Sequence, residues 1–223
     1  MKADLPFRSI VDLSLPLKSQ FTSVYPGYPM PIRSVMTTVR EDGYFSNLWI
    51  FVEHSGTHVD APAHFAARAP SVEKVPLATY VARGVVLNFA KRPPRYPITK
   101  EDIRKGLAAK GAKGKVGRGY ILLFYTGYSA KAGSSEWMEH PELTDEACKF
   151  IAQLKVNAIG FDAPSPDHPP FPAHKILLPK GIALFEGLAN LEKVLRKDFV
   201  FIGAPLPLVD GSASPVRAFA LVQ

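Results

Sequence analysis

Proline and glycine cut this chain into short pieces. The 21 prolines and 16 glycines are spread along all 223 residues. Proline ends helices and glycine marks turns, so such a chain folds into many short elements joined by turns. Apolar, β-branched or aromatic runs predict strands at Ile10–Leu15, Leu48–Glu53, Val81–Phe89, Tyr120–Tyr125, Ala158–Phe161, Ile182–Glu186, Phe199–Ile202 and Ala218–Val222. Two helices are predicted. One follows Thr99, a capping residue, with Glu101 and Asp102 in its first turn. The other follows Thr144, and its Ala147, Phe150, Ile151 and Leu154 share one face. A third, shorter helix is expected over Leu188–Arg196. No repeat or linker interrupts the pattern, which predicts one strand-rich α/β domain over residues 1–223.

Composition narrows the class. Apolar residues make up 47% and charged residues 21%, an ordinary globular balance that excludes global disorder. Cys148 is the only cysteine, so an intrachain disulfide framework and a Cys-rich zinc module are excluded. It belongs to the apolar face of the second helix and reads as core, not nucleophile. The first residues lack the apolar run of a signal peptide, and nothing is long and apolar enough to span a bilayer. A cytoplasmic protein without membrane partners is expected.

The net charge of +7 is concentrated in residues 91–118, where ten Lys and Arg face Glu101 and Asp102. Interleaved aromatics of the kind that bind single strands are missing there. A solvated helix and loop is the expected reading, with no nucleic-acid partner. Gly111–Gly119 is a basic turn and not a phosphate loop, because a strand follows it instead of preceding it.

The chemistry lies elsewhere. His54-Ser-Gly-Thr-His58-Val-Asp60-Ala-Pro-Ala-His64 holds three of the six histidines and an aspartate in eleven residues. Imidazole nitrogen and carboxylate oxygen are the donors that zinc and manganese accept. A helical zinc-protease arrangement fails, because Gly56 weakens a helix, Pro62 breaks one and Ser55 stands where a catalytic glutamate would be. A strand ending at Glu53 and running into a glycine turn fits better. In an extended segment His58 and Asp60 face the same way. A second cluster, Asp162-Ala-Pro-Ser165-Pro-Asp167-His168-Pro-Pro-Phe-Pro-Ala-His174, is stiffened by its prolines. Glu186 ends an apolar strand, where a carboxylate must be solvated, paired or metal-bound. Asp162 and Asp167 are expected to orient the loop, Trp49 and Trp137 to pack, and His140 to lie at the surface. His168 is a further candidate to line a pocket. No Gly-x-Ser-x-Gly nucleophile motif occurs.

Together these motifs resemble those of the cyclase-family metal-dependent hydrolases, which include bacterial kynurenine formamidases and isatin hydrolases. The family pattern His-x-Gly-Thr-His-x-Asp-x-Pro-x-His is met in full by residues 54–64. The later pattern is met by Asp162, Ser165, Asp167, Pro172, His174 and Glu186, and Ser214-Pro-Val-Arg-Ala218 is similar to the family's closing strand. The resemblance implies a swivelling β/β/α fold and one or two divalent ions, zinc or manganese. His54, His58 and Asp60 would hold one ion. Asp60, His174 and Glu186 would hold the other, and His64 would be the acid–base residue. Tyr25 falls where formamidases carry a substrate-stacking tryptophan. Gly187 replaces the usual asparagine after Glu186, which would loosen or re-aim that ligand.

A divalent ion lowers the pKa of bound water to about 7 and so yields a hydroxide that can attack an amide carbonyl at neutral pH. The implied activity is hydrolysis of a small-molecule amide or lactam, N-formylkynurenine foremost, by a homodimer or homotetramer. Hydrolysis of another cyclic amide, imide or lactone, such as isatin, is the nearest alternative. A non-catalytic metal- or small-molecule-binding protein is the second.

Overall fold

The computed structural model describes residues 7–20, 25–112 and 114–223; Lys113, one cation of the basic segment, lies outside them. In chain order the strands are β1 (Ser9–Asp12), β2 (Ile32–Thr37), β3 (Ser46–Ile50), β4 (His58–Asp60), β5 (Val81–Asn88), β6 (Pro97–Ile98), β7 (Tyr120–Tyr125), β8 (Glu142–Leu143), β9 (Ala158–Phe161), β10 (Ala183–Glu186), β11 (Phe199–Ile202), β12 (Ala213–Pro215) and β13 (Phe219–Val222). The α-helices are α1 (Val39–Asp42), α2 (Lys100–Ala109), α3 (Asp145–Leu154) and α4 (Pro172–Leu177).

Nine strands form one sheet in the order β1-β13-β11-β5-β7-β9-β10-β4-β12. The central four, β5, β7, β9 and β10, are parallel. Antiparallel pairs extend both flanks. Parallel strands are buried on both faces, so they read as continuous apolar runs. Their side chains still alternate. Leu87, Leu122, Phe124, Ile159, Phe161 and Leu184 point to one core, which α2, α3 and α4 cover. Val86, Ile121, Leu123, Ala183 and Phe185 point to the other. The curled sheet closes over that second core with Val59 of β4, Phe199 and Phe201 of β11, and Ala220 of β13. The result is a mixed α/β, strand-rich fold, as the sequence predicts.

Both principal helices start where local chemistry dictates. Thr99 and Asp102 form a reciprocal capping box at α2. Thr144 accepts from the Ala147 amide at α3, whose Ala147, Cys148 and Ile151 are buried. Burial pushes the Cys148 thiol well above its ordinary range, and the neighbouring Asp167 and Asp145 carboxylates add to this, consistent with core and not nucleophile.

Three expectations need correction. The helix over Leu188–Arg196 is only a 3-10 turn, Leu191–Val194, because Asn190 is left-handed at φ 56° and Leu188 continues the sheet by bonding Phe161. The strand over Leu48–Glu53 is β3, which begins earlier and ends at Ile50. It pairs with β2, a strand the sequence reading missed, and these two pair only with each other among the described residues. The first strand ends at Asp12, whose carboxylate turns the chain by accepting from the Ser14 amide.

Candidate metal centre

A turn, a three-residue strand and a proline place the first motif. Gly56 has φ 65°, a left-handed conformation natural to glycine, and turns the chain from His54 into β4. Extended geometry then sets His58 and Asp60 on one face. Pro62 opens a 3-10 turn that returns His64 over Asp60. Thr57 clamps the turn: its hydroxyl donates to Gly187 O and accepts from the Leu15 amide at 2.7 Å.

The second motif comes from two other elements. β10 pairs with β4 so that Glu186 lies opposite His58. α4 delivers His174 from a helix, where the sequence suggested only a stiff loop. Asp167 steers it, accepting from the Ala173 amide at 2.6 Å and from His174 Nδ1 at 2.8 Å. Asp162 accepts from the Thr126 and Gly127 amides and ties β7 to β9. Both aspartates therefore orient backbone and ring, as expected.

Gly187 answers the question raised by the missing asparagine. Its φ is 61°, and a Cβ there would stand 2.7 Å from Gly56 O. The backbone packs the two motifs together at this point, and Glu186 stays aimed inward.

The imidazoles and carboxylates converge. His54 Nδ1 and His58 Nε2 lie 2.8 and 3.4 Å from Asp60 Oδ1. His174 Nε2 lies 3.4 Å from Asp60 Oδ2 and 3.3 Å from Glu186 Oε1. His58 Nε2 is 3.4 Å from Glu186 Oε2. None of these five residues is more than 6% exposed. His64 is looser, with Nε2 4.0 Å from Asp60 Oδ2. The donor atoms of His54, Asp60 and His64 lie within 4.8 Å of one another, as do those of His58, Asp60 and Glu186.

Electrostatics follow from burial and crowding. Burial opposes a charged His58, but Asp60 and Glu186 outweigh it and push the imidazole up to about 10. His174 is likewise raised, against burial, by Asp167, Asp60 and Glu186. Asp60 is held well below its usual range, because the surrounding imidazoles override burial. His64 has no carboxylate close enough to do this, and burial lowers it, leaving it neutral near pH 7.

The outer nitrogens are tethered. His58 Nδ1 donates to Gly56 O at 3.0 Å, and His174 Nδ1 to Asp167. Their inner nitrogens face the carboxylates, as protonated donors in the metal-free protein and as lone pairs once a bound cation displaces that proton. His58 Nε2, both Asp60 oxygens and Glu186 Oε1 are buried without hydrogen-bond partners. Buried carboxylate oxygens crowded together are strongly unfavourable unless protonated imidazoles or a metal cation lie among them. The set of imidazole nitrogens and carboxylate oxygens fits a divalent ion.

This cluster floors a cavity of about 300 Å³ walled by Tyr25, Tyr28, Phe65 and Phe171. Tyr28 stacks on His54 with ring centroids 5.8 Å apart, and Tyr25 meets the edge of Phe171. Tyr25 is therefore at the cavity, as the sequence suggested. Ser165 of the second motif also lines the cavity, whereas Phe65, Glu53 and Ser212 were not singled out for the site. Only Phe65 carries a signal, its adjacency to His64.

Two histidines stand apart. His168 does not line the cavity; its ring is held by Glu142 at 2.9 Å and Met138 O at 2.8 Å. His140, expected at the surface, is fully buried and stacks on His168 at 4.2 Å. Packing against Tyr128 explains the error, since nothing local marks that burial. Trp137 is buried in the core and Trp49 is half-buried.

Comparison with known proteins agrees with this geometry. The Cyclase family profile matches residues 11–168. Isatin hydrolase of Roseibium aggregatum is 30% identical over 202 residues, 80% of this chain and 76% of that one. Kynurenine formamidase of Salinibacter ruber is 30% identical over 217 residues, covering 94% and 96%. Among solved structures, an isatin hydrolase bound to the product analogue thioisatinate superposes with TM-score 0.86 at 25% identity, covering 96% of this chain and 92% of that one. A chain described as a potential metal-dependent hydrolase with cyclase activity gives 0.76 at 25% identity, covering 95% and 96%. The chain therefore belongs to the Cyclase family, in which the matched isatin hydrolase and kynurenine formamidase are hydrolases.

Proposed function

We propose that this protein is a metal-dependent amidohydrolase that cleaves an aryl amide, with N-formylkynurenine-type formamides first and isatin-type lactams second. One observation carries the reading. Imidazoles tethered by their outer nitrogens turn inner nitrogens onto two buried carboxylates at the floor of an aromatic cavity.

His54, His58, Asp60, His174 and Glu186 would hold one or two divalent ions, zinc or manganese, with Asp60 shared. Such an ion supplies Lewis-acid polarisation of the carbonyl and a water nucleophile at neutral pH. The chain does the rest. Neutral His64, untethered among the described residues, accepts a proton at Nε2 from the attacking water. It returns that proton to the leaving nitrogen as the C–N bond breaks. Water is thereby divided between a carboxylate and an amine. Tyr25, Tyr28 and Phe171 flank a planar ring and keep water from the reacting carbonyl.

The lactam reading is favoured by the isatin hydrolase relative and the thioisatinate-bound neighbour. Both readings place an aromatic ring beside the scissile amide. Retention of His64 beside the ligand set argues against a purely binding role. The test is metal analysis of the purified protein, then chelator-sensitive hydrolysis of N-formylkynurenine, isatin and small lactones. A metal-loaded protein inert toward all of them overturns the proposal.

A further inference from the structure

His54 differs from the other two buried imidazoles in how it is held. Its Nε2 meets Ser212 Oγ at 3.0 Å. That hydroxyl in turn donates to Glu53 Oε1, and the Ser212 amide donates to both Glu53 oxygens at 3.1 Å. The serine proton is therefore committed to the carboxylate. A hydroxyl whose proton is committed can only accept from the imidazole. His54 must then carry its proton on Nε2, which leaves Nδ1 as a lone pair 2.8 Å from Asp60 Oδ1. That close approach lacks hydrogen-bond alignment, since Asp60 Oδ1 has no donor.

Ser212 and Glu53 are 159 positions apart in the chain, and backbone fit brings them together. The Ala61 amide donates to Ser212 O at 2.9 Å, which locks the turn before β12 against the end of β4. Gly211 leaves the room: a Cβ there would stand 3.0 Å from Glu53 Oε2.

We propose that Glu53 and Ser212 are positioning residues that fix the tautomer and ring orientation of His54, so that Nδ1 is presented to a divalent ion. This rests on the metal-site reading above. The arrangement parallels His58 on a carbonyl and His174 on a carboxylate, but here a hydroxyl relays the carboxylate. Partners outside a ligand shell raise ligand basicity and hold the ring still. Serine suits the relay because it accepts and donates at one atom. Alanine removes both functions, whereas threonine keeps them.

The test uses the full chain with labelled histidine. Long-range proton–nitrogen spectra of the metal-free protein at alkaline pH read the His54 tautomer, with His54→Asn assigning its signals. Chelator competition reads zinc affinity. The wild type should show His54 with its proton on Nε2. Ser212→Ala should give a tautomer mixture and about 10–100-fold weaker zinc binding. Ser212→Thr should restore both. Glu53→Ala frees the serine proton and should also give a mixture, and it decides the matter if Ser212→Ala does not fold. An unmixed Nε2 tautomer and unchanged zinc affinity in the variants overturn the proposal. If even the wild type takes up no zinc, the metal-site reading fails, while the tautomer comparison still decides the role of Ser212.

Discussion

Glu186 stands directly across the β4–β10 ladder from His58, with Oε2 and Nε2 3.4 Å apart. The pairing joins residues 128 positions apart. Register places them side by side, because directly opposed residues in an antiparallel pair share a face. The centre is therefore built on one strand pair, to which the turn before β4 adds His54 and α4 adds His174.

Asp60 is common to both candidate groups. Asp60→Asn should lower bound metal to near zero, since an amide neither bridges as a charge nor balances the imidazoles. Elemental analysis of the purified variant checks this, and full occupancy would remove Asp60 from the shared position.

His64 lies farther from the carboxylates than the other three imidazoles and is kept neutral. His64→Ala should retain its metal and lose turnover by about 10²–10⁴-fold. Metal content and kcat measured on one preparation check it. Loss of both together would make His64 a ligand.

Tyr25 contacts the cavity but not the carboxylates. Stacking holds ground state and transition state alike, so Tyr25→Ala should raise KM more than it lowers kcat. Aryl formamides or fused-ring lactams should be cleaved faster than linear aliphatic amides. Steady-state kinetics on both classes check this.

Burial lowers His140 to about 3, and the neighbouring His168 adds to the effect. Its unfolded value is about 6.5. The unfolded chain thus binds a proton first as pH falls. The stability linked to His140 is complete above about pH 6.5 and declines toward pH 3, by about 1.4 kcal/mol per unit. Denaturant unfolding across this range should be less pH-dependent in His140→Phe, which keeps the stack on His168.

The β2–β3 hairpin and the α1 connection between its strands expose Ile32, Met36, Val39, Phe45, Leu48 and Ile50. A two-stranded hairpin is marginal alone, and contiguous exposed apolar surface marks an interaction site. The expected homo-oligomer would cover it. Ile32→Lys with Met36→Lys should shift the protein toward monomer by light scattering, with the α/β circular dichroism unchanged.

Much of this molecule was legible because its signals are local. Thr99 and Thr144 cap helices through amides three positions away, so spacing alone announces α2 and α3. His54, His58, Asp60 and His64 fall within two turns and the strand between them, where period-two geometry already puts His58 beside Asp60. The apolar runs of β5, β7, β9 and β10 are legible because strands covered on both faces need no polar alternation.

Other features depend on which distant segments meet. His140 reads as a loop histidine, yet packing around His168 and Tyr128 buries it. The helix expected over Leu188–Arg196 gives way, despite its good helix formers, because Leu188 and Ala189 bond Phe161 and Leu13 and Asn190 turns left-handed. Ser212 carries no sign of a role until β12 docks beside β4 and Glu53 accepts a hydrogen bond from its hydroxyl. Hydrogen bonding and apolar spacing act over a few residues and can be read along the chain. Burial and cross-strand register join residues a hundred or more positions apart, and here only the tertiary structure decided them.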